Sequence, residues 1–490
     1  MFQRLFYVVF AVMLFGSVTV VQAGEVAPSS EARSGALCLI RADDQLVVTR
    51  EIITKKLSLP GGVIESGETA RTAAQRETWE ETGIVVEVGN ILGFTETAVV
   101  FDCVGQSDLL VYAPDNRIGG HTLPIWVAPH YGVETSGAML INPLRVASDQ
   151  YRFPKQWSQI KSFFHHASTQ QIRSVTDLMQ IAPWTNRVEL HWMATVQTWV
   201  TAMPDWLGKL ISGVLLMGNM FASPLVAMIV FPLLFVFLGR KITLKLFFSM
   251  AFTSILCLIL QQALASPRPY VYLPTIQKIM DYGYSLPCII TAILTCAGFL
   301  LWQERETIEW PHWLSVLLGV IFWQVLAQFF AGNAFLTDMW LGGILGMIVA
   351  WNIYQLEQRS EFDLNRLLNG YPLWTGLFGV TLLLTFIWPT PGFRAWSAIL
   401  LAVAVGMVLA KEKDRTLSLG QAGLLAITMV AGHQLMLGLA TLVTTSSVWS
   451  LVVFTLDYLL VALIFMVGYF GFDSSRLLTR FERTSKKIDA

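Results

Sequence analysis

Gly62-Val63-Ile64-Glu65-Ser66-Gly67-Glu68-Thr69-Ala70-Arg71-Thr72-Ala73-Ala74-Gln75-Arg76-Glu77-Thr78-Trp79-Glu80-Glu81-Thr82-Gly83-Ile84 reads as a tight turn, a helix and a glycine stop. Gly61 and Gly62 follow Pro60, so the chain can turn sharply and bring bare backbone close to a ligand. From about Thr69 to Thr82 the residues favour helix, and Gly83 stands where a C-terminal cap belongs. Glu77, Glu80 and Glu81 then fall at i, i+3 and i+4, which projects three carboxylates from one face. Such a cluster repels itself in isolation. It becomes favourable when a hard divalent cation binds, and Mg²⁺ prefers oxygen ligands together with diphosphate oxygens.

The stretch closely resembles the Nudix box, G-x5-E-x7-R-E-U-x-E-E-x-G-U, in which U is a bulky apolar residue. Gly62, Glu68, Arg76, Glu77, Glu80, Glu81, Gly83 and Ile84 all fall in register, and Thr78 at the first U position is the one departure. The resemblance implies hydrolysis of a diphosphate linked to another moiety. It implies that Glu77, Glu80 and Glu81 hold Mg²⁺ (or Mn²⁺), that Arg76 and Glu68 orient them, and that Gly61 and Gly62 form the diphosphate loop.

Outward from the box, the composition divides the chain. A length of 490 residues, 54% hydrophobic residues, only 14% charged residues and a mean hydropathy of +0.56 indicate a membrane protein. A net charge of −1 gives no global field for a nucleic acid polymer. Residues 1–23 carry Arg4, an apolar run from Leu5 to Val21 and the small-residue ending Val21-Gln22-Ala23. They read as a cleaved signal peptide or an uncleaved signal anchor, and either places the adjoining soluble part outside the cytoplasm.

Residues 34–166 form that soluble part, expected as an α/β/α sandwich of the Nudix type. Strands are expected at 36–40, 45–49, 84–88, 91–97, 109–112 and 124–127, with a closing aromatic helix from Tyr151 to His165. The stretch from Asn116 to Asp149 is poorly patterned. A further acidic base falls here or earlier, with Asp102, Asp108 and Glu134 as candidates beside the three box glutamates. Cys38 and Cys103 form either a disulfide or two buried thiols.

The remainder is expected to be all-α and polytopic. His191 to Met203 is amphipathic, with Trp192, Trp199 and Trp206 suited to a membrane interface. About nine spans come after it, at 221–238, 243–264, 285–302, 312–331, 338–355, 372–389, 394–410, 418–442 and 449–470. Arg240, Lys241 and Lys245, then Arg305, then Arg359 and Arg366, then Lys411, Lys413 and Arg415 occupy alternate loops. A basic tail at 476–490 succeeds residues 357–475. The positive-inside rule makes that side cytoplasmic, so the soluble part faces the periplasm of a bacterial inner membrane.

Residues 190–356 resemble the type 2 phosphatidic acid phosphatase family, which uses K-x6-R-P, P-S-G-H and S-R-x5-H-x3-D. Arg268 and Pro269, Pro287 and Asp338 match, whereas Gln261, Cys288, Ile290, Ala327, Gln328 and Ala334 replace the family's functional residues. Neither alanine nor isoleucine can attack phosphorus or move a proton, so the resemblance implies the scaffold without the activity. Arg268 is then either a remnant of a lipid-headgroup pocket or a structural cation, paired with Asp338 or lying at the interface. Residues 357–475 match no pattern. Within them His433 and Asp457 each lie about 12 Å below the outer face, so adjacent antiparallel helices would pair them, structurally or as part of a polar path.

Two functions fit these features. One is a membrane-anchored, Mg²⁺-dependent hydrolase of a small-molecule or lipid-linked diphosphate, including nucleoside diphosphate-linked and sugar-linked compounds. The other is a lipid-binding or transport module for which the soluble part senses a ligand. A cytoplasmic nucleotide-cleaning enzyme requires the inverted topology.

Overall fold

Ala36, Cys38, Leu39 and Ile40 are fully buried, the signature of a strand enclosed on both sides. The computed structural model describes residues 34–305, 312–359, 363–410 and 416–471. The expected signal segment at residues 1–23, the basic tail, and Lys411, Lys413 and Arg415 lie outside the described residues. The chain forms two units. The first holds the described residues up to Val111, Asp115–Ser174 and Met436–Leu456; the second holds Tyr112–Pro114, Val175–Leu435 and the described residues from Asp457 onward.

In the first unit, β1 (Gly35–Leu39) runs antiparallel to β5 (Gly61–Val63) and parallel to β7 (Ala98–Gly105). β6 (Val86–Phe94) pairs with β7, completing the order β5-β1-β7-β6. A second sheet runs β2 (Arg41–Ala42), β3 (Gln45–Glu51), β10 (Thr135–Ile141), β9 (His121–Leu123), with β4 (Leu57–Ser58) on β3. β8 is Leu109–Tyr112, as expected. Two expectations need correction. The segments 84–88 and 91–97 are one strand, bent by register shifts between Val88 and Gly93, and residues 124–127 form a loop after β9.

Helix α1 (Ala70–Thr82) begins at Thr69, whose side chain accepts from the Thr72 N–H, and ends at Gly83 in the left-handed region. Ala73, Ala74 and Thr78 are fully buried, and Glu77 and Glu81 are buried on the same face of α1, with Glu80 at its margin. Helix α2 (Trp157–His166) closes the unit as the aromatic pattern expects. Trp157, Ile160 and Phe164 pack with Leu39, Val100, Met139 and Tyr151, and Trp157 donates to the Val146 carbonyl at 3.0 Å. Cys38 and Cys103 form a disulfide with Cα atoms 5.5 Å apart.

The second unit is helical. Helix α3 (Trp184–Ala202) leaves Trp192 and Trp199 exposed, and α4 (Asp205–Met217) does the same with Trp206. Among the described residues, six helices are long and apolar enough to cross a membrane: α5 (Pro224–Leu264), α7 (Trp313–Ala331), α8 (Leu336–Glu357), α10 (Pro391–Leu409), α11 (Leu419–Leu442) and α12 (Ser447–Phe470). α6 (Ile289–Gln303) and α9 (Tyr371–Ile387) are shorter apolar helices. α5 absorbs two expected spans into 41 residues, broken at Gly239, where φ is 72° and ψ is 173°. The expected residues 190–356 and the helices up to residue 435 belong to this one unit.

Gly342 and Gly346 seat α8 against α6, where a Cβ would lie 2.5 Å from the Cys288 carbonyl oxygen and 2.2 Å from that of Ala292. At another level Lys245 Nζ donates to Glu304 and Glu357 at 2.6 Å each, tying the ends of α6 and α8 to α5. His433 and Asp457 meet as the sequence expects, with Nδ1 2.8 Å from Oδ2.

Candidate functional site

The helical spacing of the box does bring its side chains together, and the cation among them is Arg76. Its Nη1 donates to Glu77 at 3.0 Å and to Glu80 at 2.8 Å, and its Nη2 donates to Glu68 at 2.8 Å and to the Val63 carbonyl at 3.2 Å. One guanidinium therefore fixes three carboxylates and the end of β5 through its rigid fork of donors. Glu68 is held below the usual carboxylate range by hydrogen bonds from Arg76 and the Glu65 N–H.

Gly61 and Gly62 act in different ways. Gly61 has φ 143°, and its N–H donates to Glu81 at 3.2 Å. A Cβ on Gly62 would lie 2.4 Å from Glu77 Cδ, so the missing side chain is the space that the carboxylate occupies. Burial lifts Glu77 above the usual carboxylate range, opposed by Arg76. Burial lifts Glu81 further, opposed by the Gly61 N–H and reinforced by Glu134, Glu77 and Glu51. The converging oxygen donors and the glycine cradle together fit a hard divalent cation.

Among the described residues, the group of side chains that could hold a metal ion shares two members with the expected trio, Glu77 and Glu80. Donor atoms of Glu77, Glu80 and His130 lie within 4.8 Å of one another, while Glu81 turns toward Gly61. His130 comes from the loop between β9 and β10, and its N–H donates to the Glu80 carbonyl at 2.8 Å, near the end of α1. The loop then turns so that the Glu134 and Val133 N–H groups donate to the His130 carbonyl, which places the Glu134 carboxylate 3.3 Å from His130 Nδ1. Glu134 in turn raises the imidazole above its ordinary value.

Of the three candidate bases, only Glu134 stands at this site. Asp102 accepts from Ser168 Oγ at 2.6 Å and from its N–H at 3.0 Å, and Asp108 is exposed in the turn before β8. His130 escaped the sequence reading because its loop has no periodic pattern; the i, i+4 pairing with Glu134 was the one available signal.

The second set of sequence residues also converges, inside the second unit. Gln261 Nε2 donates to the Pro287 carbonyl at 2.9 Å, and the Cys288 N–H donates to the Asp338 carbonyl at 3.1 Å. Pro269 opens a helical turn, and Asp338 caps α8 by accepting from the Phe335 N–H at 3.2 Å. Arg268 pairs with Asp281 at 3.0 Å instead of Asp338, and donates to the carbonyls of Asn333 at 2.9 Å and Tyr282 at 3.2 Å. It acts here as a clamp between loops.

Residues 31–124 match the family model described as "NUDIX domain". A "MutT-like protein" of Streptomyces ambofaciens is 39% identical over 82 residues, covering 16% of this chain and 53% of that protein. The chain thus spans about half the length of this curated relative. A solved structure, "Crystal structure of NUDIX hydrolase from Nitrosomonas europaea", aligns at 15% identity over 31% of this chain and 81% of the other. Its TM-score is 0.21, too low to add to the assignment. The N-terminal α/β part is thus Nudix-like over residues 31–124, and an apolar helical region follows it.

Proposed function

We propose that the chain is a membrane-anchored Nudix hydrolase that cleaves a diphosphate linkage on the outer side of the inner membrane. The reading is carried by the Arg76 hub, which gathers Glu68, Glu77 and Glu80 within a segment matching the Nudix family. Glu77, Glu80 and Glu81 would hold Mg²⁺ or Mn²⁺. Such a cation supplies Lewis acidity and neutralises charge that accumulates on the phosphoryl oxygens. Gly61 and Gly62 let the substrate's diphosphate approach bare backbone, and Arg76 keeps the carboxylates converged before substrate arrives. Glu134 and Glu80 are the acids placed to take a proton from the attacking water.

Location outside the cytoplasm is supported by the Cys38–Cys103 disulfide, which suits an oxidising compartment. The Lys245–Glu304–Glu357 cluster adds support, because it draws together helix ends whose flanking basic residues the positive-inside rule assigns to the cytoplasm. Counting α5 as two crossings at Gly239, and α6 and α9 as short spans, gives the nine of the sequence reading. Free nucleotides are scarce outside a cell, which favours a lipid-linked or sugar-linked diphosphate. The helices up to residue 356 serve as a phosphatase-like scaffold without its reactive histidines.

The test is a panel of soluble and lipid-linked diphosphates given to the full-length protein with Mg²⁺ or Mn²⁺. Turnover that is lost in Glu80→Gln is expected. Binding without turnover would establish the ligand-sensing module instead. A reporter fused after residue 166 that is active only in the cytoplasm would overturn the proposed topology.

A further inference from the structure

The loop between β9 and β10 brings a nitrogen base to a cluster otherwise made of oxygen donors. Three constraints aim it there. The His130 N–H is bound to the Glu80 carbonyl, so the loop is tethered to the helix that carries the ligands. Glu134 lies against Nδ1 at 3.3 Å, which favours the proton on that nitrogen. Nε2 then carries the lone pair, and it stands 4.0 Å from Glu80 Oε2. A carboxylate on one ring nitrogen with the other facing a cation is the usual arrangement of a metal-bound histidine.

The spacing is close to what coordination needs. Two donors bound at about 2.1 Å to one cation lie at most about 4.2 Å apart, so the observed spread closes by small side-chain rotations. A surface histidine pairing with an acid would account for Nδ1 alone. It would not account for the backbone tether, or for the second nitrogen facing Glu80.

The chemistry of the donor set then selects the ion. Mg²⁺ takes oxygen ligands in a demanding octahedron and binds imidazole poorly, whereas first-row transition ions accept nitrogen. We propose that His130, through Nε2, is a ligand of the cation held by Glu77 and Glu80, and that the centre therefore prefers Mn²⁺ or another transition-series divalent ion to Mg²⁺. This rests on the metal-dependent hydrolase reading. Glu134 is a positioning residue for the imidazole.

The experiment uses the full-length protein in detergent, loaded with Mn²⁺ and examined by electron spin-echo envelope modulation. Modulation from a directly bound imidazole nitrogen is expected. It should change to the pattern of the heavier isotope when the histidines are labelled, a comparison that requires no mutation. His130→Gln should abolish the signal and weaken Mn²⁺ binding roughly tenfold or more, with a smaller change for Mg²⁺ in competition. Glu134→Gln should keep the signal while weakening affinity. Bound Mn²⁺ without imidazole modulation, or modulation that survives His130→Gln, overturns the assignment and leaves the carboxylate site standing. No bound Mn²⁺ at all overturns the metal-dependent reading together with it.

Discussion

Gly62→Ala tests whether the glycines of β5 shape the proposed metal site or only the strand. The new Cβ would lie 2.4 Å from Glu77 Cδ and 2.5 Å from Oε1. Relaxed carbon–carbon contact is about 3.5–4.0 Å, so the carboxylate must retreat by roughly 1 Å or more. The fold tolerates this, because the displaced atoms end a flexible side chain. The Arg76–Glu77 pair that weakens is partly exposed and worth about 0–1 kcal/mol. A coordination bond does not tolerate it, since such distances hold to about 0.2 Å. Losing one charged ligand at about 1.5–3 kcal/mol corresponds to cation binding weaker by roughly 10- to 100-fold.

Gly61→Ala is the contrast. Its Cβ would strike the Ala36 carbonyl oxygen at 2.3 Å and Leu37 Cα at 2.7 Å, at φ 143°, so backbone must move and the fold itself should lose stability. Mn²⁺ titration by electron paramagnetic resonance and thermal unfolding of the same samples separate the two effects. The reasoning fails if Gly62→Ala binds Mn²⁺ as tightly as the wild type, or melts as low as Gly61→Ala.

Because burial raises Glu81, the metal-free fold retains a proton that the unfolded chain has released, so its stability is fullest below the ordinary carboxylate value and falls as pH rises through the folded value. Glu81→Gln should therefore melt higher than the wild type in chelator, by a margin that widens with pH; a constant margin would contradict this. The Cys38–Cys103 bridge closes a separation of 65 residues, worth about 4 kcal/mol by chain entropy. Reductant should lower the unfolding midpoint, and thiol titration of unreduced, unfolded protein should find Cys257, Cys288 and Cys296 reactive but not this pair. For His433 and Asp457, a double-mutant cycle of leucine substitutions should give a coupling of about 1–2 kcal/mol in detergent unfolding, and a coupling of zero would show that the contact is incidental.

The box helix was legible because its period, its cap and its motif agree, and Gly83 ends it where the sequence places the stop. β7 and β10 were harder to see. Ala98–Phe101 is a short apolar run buried on both faces, without alternation, and β10 carries Ser136 and Gly137 at a register shift. The disulfide could not be decided beforehand because it depends on register. β1 lies parallel to β7 with Cys38 opposite Phe101, which leaves Cys103 one pleat away on the same face. The membrane pair His433–Asp457 was readable from depth alone, whereas Arg268 was not. Its partner Asp281 and the carbonyls it clamps belong to loops that only tertiary packing brings near.

The interruption at Gly239 carries a topological consequence. An unbroken helix of 41 residues would run about 62 Å, twice the thickness of a bilayer's hydrocarbon, and would carry Arg240 and Lys241 with it. The conformation there, φ 72° with ψ 173°, is essentially open to glycine alone. On the proposed nine-span topology the chain crosses twice by turning at this kink; a β-carbon that held the helix straight would leave one crossing and invert the parity of every later one. In that proposed topology, one absent methyl group governs on which face of the membrane each subsequent loop emerges.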